Sequence, residues 1–127
     1  MKTITSTLII VLILFCSSVY AQDNELPYTD RQIQAATEKN PKDRLAKLEL
    51  LIAEANDYER FVTLGYAAKA ALLAGNNEKA DLYSNELLEI APQYQDDWNY
   101  GNAIHDGHLV LGRIAVKNGN IDEAKNH

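Results

Sequence analysis

A six-residue turn occurs twice in this chain, each time after a segment whose apolar residues recur with helical period. Gly75-Asn76-Asn77-Glu78-Lys79-Ala80 separates two such segments, and Gly119-Asn120-Ile121-Asp122-Glu123-Ala124 follows a third. Glycine just past the last periodic residue closes a helix, because it reaches left-handed backbone without steric cost. Amphipathic helices joined by so short a turn must fold back on one another as an antiparallel pair. The unit at residues 61–92 is therefore a helix hairpin, and residues 105–124 carry a fainter copy of it.

The rest of the chain is consistent with that reading. Residues 30–38 can form a short helix, which Asn40-Pro41 stops. Asn40 can cap the next helix, Pro41 suits its first position and Asp43 puts a negative charge in its first turn. Leu45, Leu48, Ile52 and Ala55 then form one apolar stripe over 43–55. Asn56 and Glu59 have capping-box spacing ahead of Phe61, Leu64, Ala68 and Leu72, which share a face. After the Gly75-Asn76 turn, Ala80, Tyr83, Leu87 and Ala91 make another stripe, ended by Pro92. The polar, aromatic stretch 93–102 reads either as the opening of a long helix or as an ordered loop. Helical period resumes at Ala103 with Ile104, Leu111, Ile114 and Ala115, stops at Asn118-Gly119, and restarts at Asp122. No strand-like alternation or hairpin turn appears, so the expected class is all-α.

The first 21 residues read as a secretory signal peptide. Met1-Lys2 is a short basic start, residues 8–15 are an unbroken apolar run, and Ser17 to Ala21 supplies small residues for cleavage after Ala21. The run is shorter than the roughly 20 residues a membrane span needs. Phe15 before Cys16 is too large for a lipidation site, so plain cleavage is the expectation. Residues 22–29 then form a flexible lead to a helical domain at 30–127, with repeats at about 61–94 and 105–127. Removing residues 1–21 takes away the only cysteine, one of 12 basic residues and none of the 18 acidic ones, leaving a formal charge of −7. Such a chain has no disulfide, is suited to neither nucleic acid nor anionic membranes, and is expected to be secreted or periplasmic.

The hairpin pattern resembles the tetratricopeptide repeat, a helix-turn-helix unit of about 34 residues. With Pro92 as its closing proline, Ala68 and Ala80 take the small positions where the two helices touch, and Gly75 takes the turn. In the second copy Leu111-Gly112, Ala115, Gly119 and Ala124 match in the same way. Ala80 and Ala124 lie about ten residues further apart than one period, which marks 93–102 as an insertion or a lengthened helix. Leu64 stands where the repeat usually has an aromatic. The 97–105 stretch resembles exported bacterial repeat proteins that continue with further helices. The last repeat is therefore expected to be incomplete, with the apolar face of 104–115 partly uncovered and open to a partner or a second copy.

The resemblance implies a non-catalytic scaffold whose first helices line a concave groove. That groove would present Val62, Tyr66, Lys69 and Leu73 from one repeat, and Asp106, Leu109, Arg113 and Lys117 from the next. Lys69 and Arg113 fall at equivalent positions, where two cations would hold a carboxylate of a protein or peptide partner. Tyr66, Trp98 and Tyr100 would supply apolar contact, and His105 would line the groove. Two alternatives remain. His105 and His108, three apart on a helix beside Asp106, can face one metal ion to which Asp96 or Asp97 could add an oxygen, although without a clear third ligand, and would then make the chain a small metal-binding protein or metal-dependent enzyme. An unfinished last helix would also suit a self-associating structural subunit. Covalent catalysis would have to use Ser84, the one serine after the signal and set in mid-helix, and Glu78, Asp81, Glu86 and Glu89 spread along a solvated face rather than pairing. No enzyme and no cofactor is expected.

Overall fold

A computed structural model describes residues 26–127, and the expected signal peptide, its cleavage point and Cys16 lie outside them. The described residues form an all-α bundle without strands. Its helices are α1 (Tyr28–Ala36), α2 (Pro41–Glu54), α3 (Asp57–Leu73), α4 (Asn77–Ile90), α5 (Tyr100–Lys117) and α6 (Ile121–Asn126). None is long and apolar enough to cross a membrane.

The helix starts follow the local chemistry of the sequence. Asn40 accepts from the backbone N–H of Lys42 at 2.9 Å and of Asp43 at 3.3 Å, with Pro41 at the first helical position. At α3 both halves of the capping box form at 2.9 Å, Asn56 accepting from the Glu59 N–H and Glu59 from the Asn56 N–H. A cap of this kind contributes about 1 kcal/mol. The first helix begins at Tyr28, two residues before the sequence pattern starts it, because Pro27 sets the entry and its carbonyl accepts from the Asp30 and Arg31 N–H groups.

The two glycine turns repeat each other bond for bond. Gly75 and Gly119 have φ of 78° and 76°. The Gly75 and Asn76 N–H groups donate to Leu72 and Ala71 carbonyls at 3.1 and 2.9 Å, while Gly119 and Asn120 donate to Val116 and Ala115 at 3.0 and 2.9 Å. Asn76 and Asn120 then cap the next helix through the N–H groups of Lys79 and Glu123. One local solution thus serves two places 44 positions apart.

Each helix packs antiparallel on the next. Arg31 near the start of α1 pairs with Glu54 at the end of α2, Arg60 near the start of α3 with Glu86 near the end of α4, and Leu88 late in α4 faces Gly107 of α5. Consequently α3 and α5 run parallel and also touch each other. Small residues set the spacing: Ala67, Ala68, Ala70, Ala71 and Ala80 are fully buried, so backbones approach where side chains add little bulk. Phe61, Leu48, Leu64, Leu87 and Val110 fill the remaining core.

Polar ties cross the same interfaces. The Thr63 hydroxyl is fully buried and donates its one proton to the Glu59 carbonyl at 2.6 Å. It must therefore accept from Tyr28 Oη (2.9 Å) and Gln32 Nε2 (2.8 Å), which fastens α1 to α3. Burial raises the Tyr28 pKa. Between α2 and α4, Tyr83 donates to Glu49 at 2.6 Å and Lys79 reaches the same oxygen at 2.5 Å. Burial alone would raise the Glu49 carboxyl, but these two bonds outweigh it and hold the group below its ordinary value. Burial and the bond to Glu49 push Tyr83 well above the usual tyrosine range.

The structure resolves the ambiguous stretch after Pro92. It is an ordered connector, starting with a 3-10 turn (Ala91–Tyr94) before α5 begins at Tyr100. Tyr94 stacks on Phe61 with centroids 4.4 Å apart, and Tyr58 Oη donates to Asp97 at 3.2 Å, so the connector is latched to the start of α3. The face expected to be uncovered on α5 is largely closed: Leu111, Ile114 and Ala115 are buried, Ile104 and Leu109 are half-buried, and Val116 is exposed. Ser84 is buried in mid-helix without a hydrogen-bond partner among the described residues.

Candidate binding groove

Because α3 and α5 run side by side, a furrow opens between them, with a cavity of about 160 Å³. Phe61 and Leu87 reach it from the core. Val62, Gly65, Tyr66 and Lys69 line it from α3, and Asn99, Asn102, Ala103 and Asp106 from the start of α5. Gly65 permits the close approach: a Cβ there would stand 3.1 Å from Asp106 Oδ2 and 3.5 Å from Leu87 Cδ2. Glycine therefore lets the Asp106 carboxylate lie against the α3 backbone.

Lys69 closes this arrangement. Its ammonium donates to Asp106 Oδ2 at 2.6 Å and sits 5.3 Å from the centroid of the Tyr66 ring. The ion pair is half-exposed and stabilises the fold by less than about 1 kcal/mol, the aromatic contact by a similar amount. Their structural effect is larger than their energy, since they neutralise the cavity's one cation and one anion against each other. The lining residues include no serine, cysteine or histidine. Aromatic faces, two carboxamides and a compensated charge pair make up the lining.

The six expected contact residues divide. Tyr66, 45% exposed, and Lys69 meet at the cavity. Tyr100 is half-buried and packs on the core, whereas Trp98 stands 80% exposed on the connector and does not line the cavity. His105 is exposed, with Nδ1 3.5 Å from Asp106 Oδ1. Arg113 is exposed and lines a different depression, between α5 and α6, with His108 and His127. Lys69 and Arg113 are thus equivalent in sequence but do not share the α3–α5 cavity. Of the other groove positions, Leu73 is exposed and Lys117 extends to Asn77 at 3.4 Å.

Sequence reasoning missed Asn99 and Asn102. Their signal is present: Asn99, Asn102 and Asp106 follow the three-and-four spacing that marks one helix face, but a polar stripe of this kind reads equally as a solvated face. His127 was also missed. Its ring lies against His108, Nδ1 to Nδ1 at 3.1 Å, so His108 meets a residue from beyond α6. No three histidine, aspartate or glutamate side chains come together in metal-holding geometry among the described residues. The chain matches no family model, no curated protein and no solved structure.

Proposed function

We propose that this chain is an exported, non-catalytic binding module of the tetratricopeptide type, which holds an extended segment of a partner protein or peptide along the α3–α5 furrow. The observation that carries this reading is the cavity lined by Tyr66, Asn99, Asn102 and the Lys69–Asp106 pair. Carboxamides offer both a donor and an acceptor, as a peptide backbone requires, and Tyr66 offers a rigid apolar face at small entropic cost. The matching glycine turns support the repeat character.

The ion pair refines the choice of ligand. A partner carboxylate at Lys69 must displace Asp106, so the cavity favours backbone amides and neutral side chains over a free anion. Fluorescence polarisation with peptides carrying either a free or an amidated C-terminus tests this. Selected peptides should bind with little dependence on that end, and Tyr66→Ala and Asn102→Ala should each weaken them about 5- to 30-fold, the 1–2 kcal/mol of an ordinary anchor residue. If both variants bind as tightly as the parent, the furrow is not the binding site.

Export rests on residues 1–21 and needs its own measurement. The intact mass of protein recovered from the cell envelope or medium should correspond to a chain beginning at Gln22. A mass that retains Met1 to Ala21 would reject cleavage there.

A further inference from the structure

The two halves of the Lys69–Asp106 pair are held very unequally. Asp106 is the fixed half: its side chain is 18% exposed and lies against the α3 backbone at Gly65, where a Cβ would stand 3.1 Å from Oδ2 and 3.6 Å from the Asp106 Cβ. Lys69 is the loose half, 38% exposed at the end of a flexible four-carbon stem that reaches water by rotation alone. We infer that Lys69 stands in for a ligand cation, and that the furrow takes an arginine side chain of its partner, whose guanidinium displaces the Lys69 ammonium from Asp106. This rests on the furrow being the peptide site proposed above and names the side chain that enters it.

The lining suits a guanidinium better than the ammonium it holds. Asp106 gives Lys69 one oxygen, Oδ2 at 2.6 Å, while Oδ1 is met by the exposed His105 ring at 3.5 Å, too long for a firm hydrogen bond. An ammonium is a point donor, whereas the planar fork of arginine bonds both oxygens of one carboxylate side by side. The Tyr66 ring, 5.3 Å from the Lys69 ammonium, is a face on which a planar guanidinium also stacks. Asn99 donates an N–H to Tyr58 at 3.4 Å, which leaves its oxygen, like that of Asn102, as an acceptor for the remaining guanidinium N–H groups. At about 160 Å³ the cavity has room for one group the size of benzene, enough for a guanidinium and its adjoining methylene.

Charge points the same way. Exchanging one cation for another leaves the furrow neutral, whereas an incoming carboxylate must either dislodge Asp106 from Gly65 or share Lys69 with it, two anions side by side. The chain carries a formal charge of −6, so its field draws basic segments and repels acidic ones. The displaced Lys69 ammonium returns to water. While it occupies Asp106 it lowers the apparent affinity for a ligand cation, in proportion to the fraction of time the carboxylate is free.

Fluorescence polarisation with three labelled peptides tests this, each capped at both ends, sharing one alanine–serine background and differing only in a central arginine, citrulline or glutamate. The arginine peptide should bind at least about fivefold tighter than the citrulline peptide, whose side chain has nearly the same shape without the charge, and the glutamate peptide should be the weakest. Asp106→Asn should bring the arginine and citrulline peptides to within about twofold of each other. Lys69→Gln should tighten the arginine peptide by about two- to fivefold, because it removes the internal competitor, with circular dichroism confirming that both variants stay folded. The inference is overturned if the parent binds the arginine and citrulline peptides alike, if Asp106→Asn keeps the preference, or if Lys69→Gln fails to tighten the arginine peptide. Binding that Tyr66→Ala weakens but that ignores the central charge removes the arginine assignment and leaves the furrow as the peptide site. Binding indifferent to Tyr66→Ala, or no binding up to about 1 mM, rejects the furrow and this inference with it.

Discussion

Phe61→Ala is expected to cost the fold about 3–5 kcal/mol, the range for emptying a well-packed aromatic site. Phe61 is 1% exposed, stacks on Tyr94 at 4.4 Å with 20° between the rings, and has the Tyr58 ring 6.1 Å away. Removing it therefore unseats the connector as well as opening a void under α3. Neither wall of the void can easily collapse, because Tyr58 is tied to Asp97 and α3 is held on either side by α2 and α4. For a domain of this size the loss corresponds to a thermal midpoint lower by at least about 12 °C. Calorimetry or a circular-dichroism melt reads it directly, and a drop under about 4 °C would mean that Tyr94 refills the space. Phe61 also reaches the α3–α5 cavity, so the same substitution should weaken peptide binding even below the melting transition.

Gly107→Val should produce the second large loss, about 2–3 kcal/mol, by overpacking. At Gly107 a Cβ would lie 2.7 Å from Leu88 Cγ and 2.8 Å from its Cδ2, contacts that cannot exist without movement. Leu88 is half-buried and can swing partly outward, which sets the size of the effect, but a branched side chain on α5 also pushes α4 away along its length. Gly101 in the same helix is the internal control. Nothing lies within 4 Å of its Cβ direction, and Gly101→Ala should be neutral or stabilising by up to about 1 kcal/mol. In urea titrations the Gly107→Val midpoint should fall while that of Gly101→Ala holds or rises. Equal shifts would show that helix propensity rather than the α4–α5 contact governs these positions.

The helix starts, turns and core stripes were legible because their causes are local. Asn40 before Pro41, Asn56 three before Glu59, and Gly75 before Asn76 each carry their partner within a few positions, and each forms its bonds in the structure. Phe61, Leu64, Ala68, Ala80 and Leu87 were readable from period alone. What sequence could not display is which helix faces meet. Lys69 was read as a free cation, yet Asp106 stands 37 positions later and pairs with it, a contact that follows only once α3 and α5 are known to run parallel. Tyr94 on Phe61 and His127 on His108 are of the same kind: each partner is distant in the chain and neither residue type demands the other. Trp98 is a further case, since its residue type does not reveal that the connector turns it out to solvent, away from the cavity.

The order of helices along the chain is almost their order in space, with α3 and α5 forming the main contact that skips a neighbour. Each docking step then closes only a short loop, and the entropy lost in bringing two surfaces together stays small at every stage. A chain so arranged has low contact order and belongs among the fast folders, assembling in microseconds to milliseconds. The α3–α4 hairpin, joined by the Gly75 turn and rich in buried alanine, is the natural place for assembly to begin. From there the structure grows towards both ends, and newly made chain needs no distant segment before it can find its place.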